Sequence, residues 1–157
     1  MSGHASRAAS RQVALQVLYA ADLAASRAVG EDFDPVAAGA DAFEAVAGNF
    51  DLPEGARAFA KELVFGVMER RVELDALLAE HARNWRVDRM AAVDRNVLRI
   101  AVYELLATET ATSVVIDQAI ELARRFGDDP SPAFVNGVID AVAGSVVRPE
   151  SSAGGAA

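Results

Sequence analysis

Apolar residues recur at helical spacing along most of the chain, and no segment sustains an alternation of apolar and polar positions. The clearest case lies in residues 93–106, where Val93, Val97, Ile100 and Leu105 form one row. An apolar stripe that returns every three to four residues is typical of an amphipathic helix with one face on a core. We therefore predict an all-α protein in which this helix is central.

Residues that begin and end helices divide the chain further. Asp34 followed by Pro35 is a typical helix start, and Gly127 is a typical end. Thr112 and Ser113 are expected to cap a helix, and a break is expected near Arg70. The pattern predicts about seven helices with short connections, over residues 8–27, 36–47, 54–83 with the break, 93–106, 112–126 and 131–142.

The predicted helices fit one domain of residues 1–148 arranged as two small packed bundles. Residues 149–157 read PESSAGGAA, a composition that predicts a disordered tail.

Composition excludes several functions. The chain has no cysteine and only two histidines, His4 and His81, far apart in the sequence. It also lacks the glycine-rich phosphate loops, the HExxH zinc motif and the GxSxG nucleophile motif. We expect a protein that is not an enzyme and has no cofactor, metal or catalytic residue. Without an apolar leader or a long apolar run, a cytoplasmic protein with no membrane contact is expected.

Charge is unevenly distributed along the chain. The net charge of −8 by itself favours a protein–protein scaffold over a nucleic-acid binder. Nine acidic residues lie in residues 31–69 against two basic ones, whereas residues 1–30 hold three arginines against one aspartate. The positive local charge of the first helix would therefore still attract a polyanion.

Arg7 and Arg11 place two like charges one turn apart near a helix start. This is mildly unfavourable, because the helix dipole prefers anions there. A bound polyanion would remove the penalty, and a solvated helix end explains the pair equally well.

Asn136 and Gly137 interrupt the apolar pattern of the last helix, where glycine costs about 1 kcal/mol relative to alanine. Close packing of a neighbouring helix is the preferred explanation, and close approach of a ligand is the alternative. Phe134 and Tyr19 are either core residues or rings for base stacking. The outer face of the central helix is either solvated or a partner surface, and it carries Asp94, Arg95, Arg99 and Tyr103.

Five segments together resemble the NusB family: RQVALQVLY, ELVFGVMERRVELDALLAEHARNW, VDRNVLRIAVYELL, VVIDQAIELARRFG and FVNGVIDAV, in this order. The resemblance runs from about residue 7 to residue 147. It implies an all-helical fold of two small bundles and a role in transcription antitermination. In that role a member binds single-stranded boxA RNA of ribosomal RNA leaders together with NusE, a ribosomal small-subunit protein. The other Nus factors and RNA polymerase belong to the same complex.

The resemblance also implies roles for single residues. Arg7 and Arg11 match RNA-contacting arginines, although Ala8 and Ala9 stand where other members often carry further basic residues. His81 stands where a tyrosine is common, and the helix with Asp94 matches the NusE-docking face. The implied RNA-binding set is Arg7, Arg11, Tyr19, His81, Phe134 and Asn136, and the partner-binding set is Asp94, Arg95, Arg99 and Tyr103.

Two other functions stay open. A similar helical domain precedes some RNA cytosine methyltransferases, so the chain could be a detached targeting domain for RNA methylation. The second open function is a helical protein–protein scaffold that does not contact RNA. The wide apolar stripes also leave room for a homodimer.

Overall fold

Helices make up nearly all of the chain that the computed structural model describes. These are residues 3–28, 33–82 and 85–146, with side chains from residue 6 onward, and no β-strand lies within them. The seven helices are α1 Gly3–Arg27, α2 Pro35–Ala47, α3 Glu54–Glu69, α4 Arg71–His81, α5 Ala92–Ala107, α6 Thr112–Phe126 and α7 Ser131–Ser145. A short 3₁₀ helix, Val87–Arg89, precedes α5.

The first three helices form one compact unit that ends at Glu69. Helix α1 packs on both α2 and α3, and its core face is closed by Val13 and Val17, which are fully buried. The buried Ser10 hydroxyl donates to the Ala56 carbonyl at 2.7 Å, which fixes the start of α1 against α3. The predicted side-chain cap at Asp34 is confirmed, because its Oδ1 accepts from the Val36 amide at 3.0 Å.

The second unit begins at Arg70 and is built around α5. Helices α4, α6 and α7 all pack on α5, so the ten residues from Asn96 to Leu105 are buried. The predicted central position of this helix is confirmed. Helices α4 and α5 are also joined by a polar interaction: the Arg99 guanidinium donates to both carboxylate oxygens of Asp75 on α4, at 2.8 and 2.9 Å.

The break near Arg70 is also confirmed. Helix α3 ends at Glu69, and Arg70 has φ −104° and ψ 15°, outside helical geometry, before α4 begins at Arg71. The Arg70 side chain donates to the carboxylate of Glu73 at 2.9 and 3.0 Å. These hydrogen bonds lower the pKa of Glu73.

Two sequence-based expectations need correction. Thr112 and Ser113 do not cap α6: Thr112 is its first residue, and Ala111 holds the cap position without a side-chain hydrogen bond. Helix α1 begins at Gly3, five residues earlier than the apolar stripe suggested. The predicted domain end at residue 148 and the tail of residues 149–157 lie outside the described residues.

Candidate nucleic-acid interface

Arg7 and Arg11 share one aromatic ring. The Arg7 guanidinium carbon lies 4.3 Å from the centroid of the Phe59 ring on α3, and that of Arg11 lies 5.5 Å from it. Arg7 is exposed, whereas Arg11 is only 2% exposed. An aromatic face attracts cations, so Phe59 favours two like charges at this helix start without help from a polyanion.

This arrangement separates the two arginines in function. The Arg7 guanidinium is open to solvent and is held over a buried ring, which limits the conformational freedom it would lose on binding a phosphate. The Arg11 side chain is buried and cannot reach a phosphate in this conformation. Phe59 was missed by the sequence analysis, because nothing in the sequence pairs a residue of α3 with the start of α1.

Tyr19 lies further along α1, with 38% of its surface exposed. Its position twelve residues after Arg7 corresponds to about 18 Å along the helix axis and about a third of a turn around it. Arg7 and Tyr19 therefore do not form one cluster, and Tyr19 would contact a different nucleotide from Arg7.

In the second unit, Phe134 lies in the first turn of α7 and is half-buried. Its ring meets the Trp85 ring at a centroid distance of 5.4 Å and an interplanar angle of 67°. Trp85 is 56% exposed, so this aromatic pair reaches the surface of its unit. The sequence analysis did not single out Trp85, although a lone tryptophan before a short polar turn was a usable signal.

Asn136 and Gly137 are both exposed on α7. A Cβ atom added at Gly137 would meet nothing within 4 Å, so the expected close packing of a neighbouring helix is wrong.

His81, the last residue of α4, is half-buried, and its Nδ1 lies 2.9 Å from the Leu77 carbonyl. Since a carbonyl only accepts, Nδ1 donates the hydrogen bond.

The proposed partner face is less open than expected. Arg99 and Tyr103 are 5% and 8% exposed, because α5 is covered by three helices, so their predicted place on an outer face is wrong. Arg95 is half-buried and donates to the Val87 and Met90 carbonyls at 3.3 and 3.0 Å. Asp94 is also half-buried, and its Oδ1 has no hydrogen-bond partner within the part of the chain that the structure describes.

Within the described ranges, no group of three or more histidine, cysteine, aspartate or glutamate side chains is placed to hold a metal ion. None of the helices described is both long enough and apolar enough to cross a membrane. The fold and the exposed arginine and ring-bearing side chains define a small all-α protein with candidate surfaces for binding.

The comparisons with known proteins agree with this class. The family model of the NusB family matches residues 8–144. A transcription antitermination protein NusB of Anaeromyxobacter dehalogenans is 46% identical over 138 residues, which are 87% of this chain and 89% of the relative. The chain therefore belongs to the NusB family.

The chain also resembles solved structures, of which two are described here. NusB of T. maritima has a TM-score of 0.79 and 29% identity, covering 94% of this chain and 96% of its own. A crystal structure of the antitermination factors NusB and NusE in complex with dsRNA contains a chain with a TM-score of 0.73 and 28% identity, covering 90% and 98%. The prediction of an all-α NusB-like fold is confirmed.

Proposed function

We propose that this protein is a transcription antitermination factor that binds the boxA element of nascent ribosomal RNA leaders together with NusE, in the cytoplasm and alongside the other Nus factors and RNA polymerase. Family membership over residues 8–144 is the observation that carries the proposal. The related complex of NusB, NusE and RNA supports the choice of partners.

Each unit contributes a different kind of RNA contact. In the first unit, Arg7 supplies an exposed cation for a phosphate, with Phe59 positioning it and Arg11 fixing that ring from inside. Tyr19 supplies an exposed ring on the same helix. In the second unit, Phe134 offers a ring and Asn136 an amide, each to a different unpaired base, and His81 offers its second ring nitrogen. Single-stranded RNA is recognised through such stacking and edge contacts.

Charge predicts that the protein alone binds RNA weakly. The net charge is −8, and α1 presents one exposed guanidinium near its start. A single phosphate contact, with a salt slope of about −0.7, lowers affinity roughly two- to threefold between 50 and 200 mM salt. A partner that supplies more of the RNA-binding surface raises the joint affinity through effective concentration.

NusE would dock at the start of α5 in the second unit. Asp94 and Arg95 are the members of the predicted set that are both charged and partly exposed there. Arg99 and Tyr103 would act from inside by holding α5 in place, since both are buried.

Fluorescence anisotropy of a labelled boxA RNA, measured with and without NusE, tests the proposal. We expect weak binding of the protein alone, clear enhancement by NusE, and a preference over a scrambled RNA of equal length. Absence of both the enhancement and the sequence preference would contradict the proposal and leave the scaffold function.

A further inference from the structure

In the first unit, α2 and α3 meet through a glycine and a methionine. A Cβ atom placed on Gly39 would lie 2.5 Å from Sδ and 2.8 Å from Cε of Met68, closer than unbonded atoms normally approach. Gly39 itself is buried. The Met68 thioether therefore fills the space that a side chain at Gly39 would occupy, as flexible methionines often do in irregular gaps, and it packs on the backbone of α2.

The surroundings of this contact are apolar. Phe43, one turn after Gly39, is 1% exposed, and its ring centroid lies 6.5 Å from that of Phe65 on α3. The same Cβ atom on Gly39 would lie 3.9 Å from Phe65 Cε1. These three residues offer no side-chain donor to an oxygen atom on Met68 Sδ. A polar group at that sulfur would therefore be unfavourable.

Met68 is nevertheless open to small molecules. It is half-buried, whereas Met90 in the second unit is 5% exposed. The chain has three methionines and no cysteine, so its sulfur chemistry with peroxides is confined to thioethers. A peroxide transfers one oxygen atom to the thioether sulfur. The sulfur loses two electrons and becomes a sulfoxide, while the O–O bond breaks and hydrogen peroxide leaves as water.

We propose that Met68 is a site of reversible oxidation by peroxides, and that its sulfoxide loosens α2 from α3. The sulfoxide is polar and is better accommodated by water than by the surroundings of Gly39. If the side chain turns outward, it leaves a gap that glycine cannot fill. If it stays, the added oxygen atom pushes the two helices apart. Both responses weaken the packing of the first unit.

The effect of this oxidation would extend to α1. That helix packs on both α2 and α3, so a loosened α2 removes support from one side of the helix that carries Arg7 and Tyr19. The oxidation itself does not depend on the proposed binding of RNA. Reduction of the sulfoxide by methionine sulfoxide reductases would restore the thioether and the contact.

The test treats the full-length protein with dilute hydrogen peroxide at pH 7.5. Intact-mass spectrometry counts the oxygen atoms added, and peptide mapping locates them. We expect Met68 to be oxidised about tenfold faster than Met90, because it is more exposed. The thermal midpoint should fall by about 5 °C, the scale expected when one packing contact is lost in a chain of this length.

Hydrogen exchange locates the change. Backbone amides of α2 should exchange faster after oxidation, while those of α5 in the second unit should not change. A mixture of methionine sulfoxide reductases that act on both sulfoxide epimers should return the thermal midpoint to its starting value.

Three variants separate Met68 from other sites of oxidation. Met68→Leu keeps an apolar side chain of similar volume that peroxide does not oxidise, so its thermal midpoint should be insensitive to peroxide. Met90→Leu is the matched change in the second unit and should retain the full fall. Met68→Gln places a polar group at the same position and should lower the midpoint without any peroxide. Circular dichroism establishes that each variant is folded.

Three results would overturn the proposal. The first is faster oxidation of Met90 than of Met68. The second is a sulfoxide at Met68 that leaves both the thermal midpoint and the exchange of α2 unchanged. The third is an undiminished fall in the midpoint of Met68→Leu after peroxide. None of these measurements uses RNA, so their outcome is independent of the proposed function.

Discussion

The two units of the protein offer opposite chemistry for the same kind of ligand. In the first, an exposed guanidinium lies over a buried phenylalanine ring. In the second, an exposed indole lines the same pocket as a buried carboxylate oxygen that has no partner among the described residues. In the proposed function the first unit would contact a phosphate, which carries no sequence information, and the rings of the second would contact bases, which do. Net charge, a single number for the whole chain, conceals this division.

The largest effect is expected from a substitution that removes the ion pair between α4 and α5 in the second unit. Asp75→Ala leaves the buried Arg99 guanidinium without its carboxylate and should lower the free energy of unfolding by about 3 kcal/mol. Urea denaturation followed by circular dichroism measures it. Asp88→Ala removes an exposed ion pair with Arg86 and should cost less than about 1 kcal/mol. Equal losses in the two variants would show that the Arg99 pair contributes little.

Loss of a ring in the second unit should weaken RNA binding without altering its dependence on salt. Phe134→Leu keeps an apolar side chain but removes the stacking surface, so boxA affinity with NusE present should fall about tenfold. The slope of log affinity against log salt should stay the same, because no charge changes. Anisotropy titrations at several salt concentrations supply both quantities. A shallower slope would mean that Phe134 instead orients a cation.

Loss of a charge in the first unit should lower RNA affinity and also change its dependence on salt. Arg7→Gln should lower affinity about three- to tenfold and make the salt slope shallower by about 0.7. Arg11→Gln is the matched change at a buried position and should lower the thermal midpoint while leaving the slope alone. If Arg11→Gln changes the slope and Arg7→Gln does not, the roles assigned to the two arginines are exchanged.

The smallest effect is expected at Gly137, which is exposed within α7. Gly137→Ala has open space for the added methyl and should stabilise the protein by up to about 1 kcal/mol. Gly55→Ala, at another open helical position, should also stabilise. If only the change at Gly137 also weakens boxA binding, a close approach of RNA explains why glycine stands there. Destabilisation by Gly137→Ala would contradict the observed open space.

Much of the fold was accessible from the sequence, because helix periodicity and the residues at helix ends are local signals. The break at Arg70, the cap at Asp34 and the central position of α5 were all predicted correctly. The cap assigned to Thr112 and Ser113 was wrong, since the residue type alone does not reveal where the first helical turn closes.

The candidate sites were less predictable, because they depend on contacts between distant segments. Arg11 has the same residue type and spacing as an RNA-contacting arginine, yet its burial depends on α3. Arg99 and Tyr103 fall on a face that periodicity leaves undecided, and only the arrangement of three helices around α5 shows that this face is covered. That Asp94 Oδ1 finds no hydrogen-bond partner among the described residues is visible only once its neighbours are placed.

The enclosure of α5 has a consequence during protein synthesis. Helix α5 leaves the ribosome before α6 and α7, which cover it, and α7 is complete only about 40 residues later. At ordinary elongation rates this leaves an apolar helix uncovered for roughly 2 to 8 seconds. During that interval the nascent chain is open to aggregation and to capture by chaperones, whereas the first unit, whose helices have all emerged earlier, can already fold.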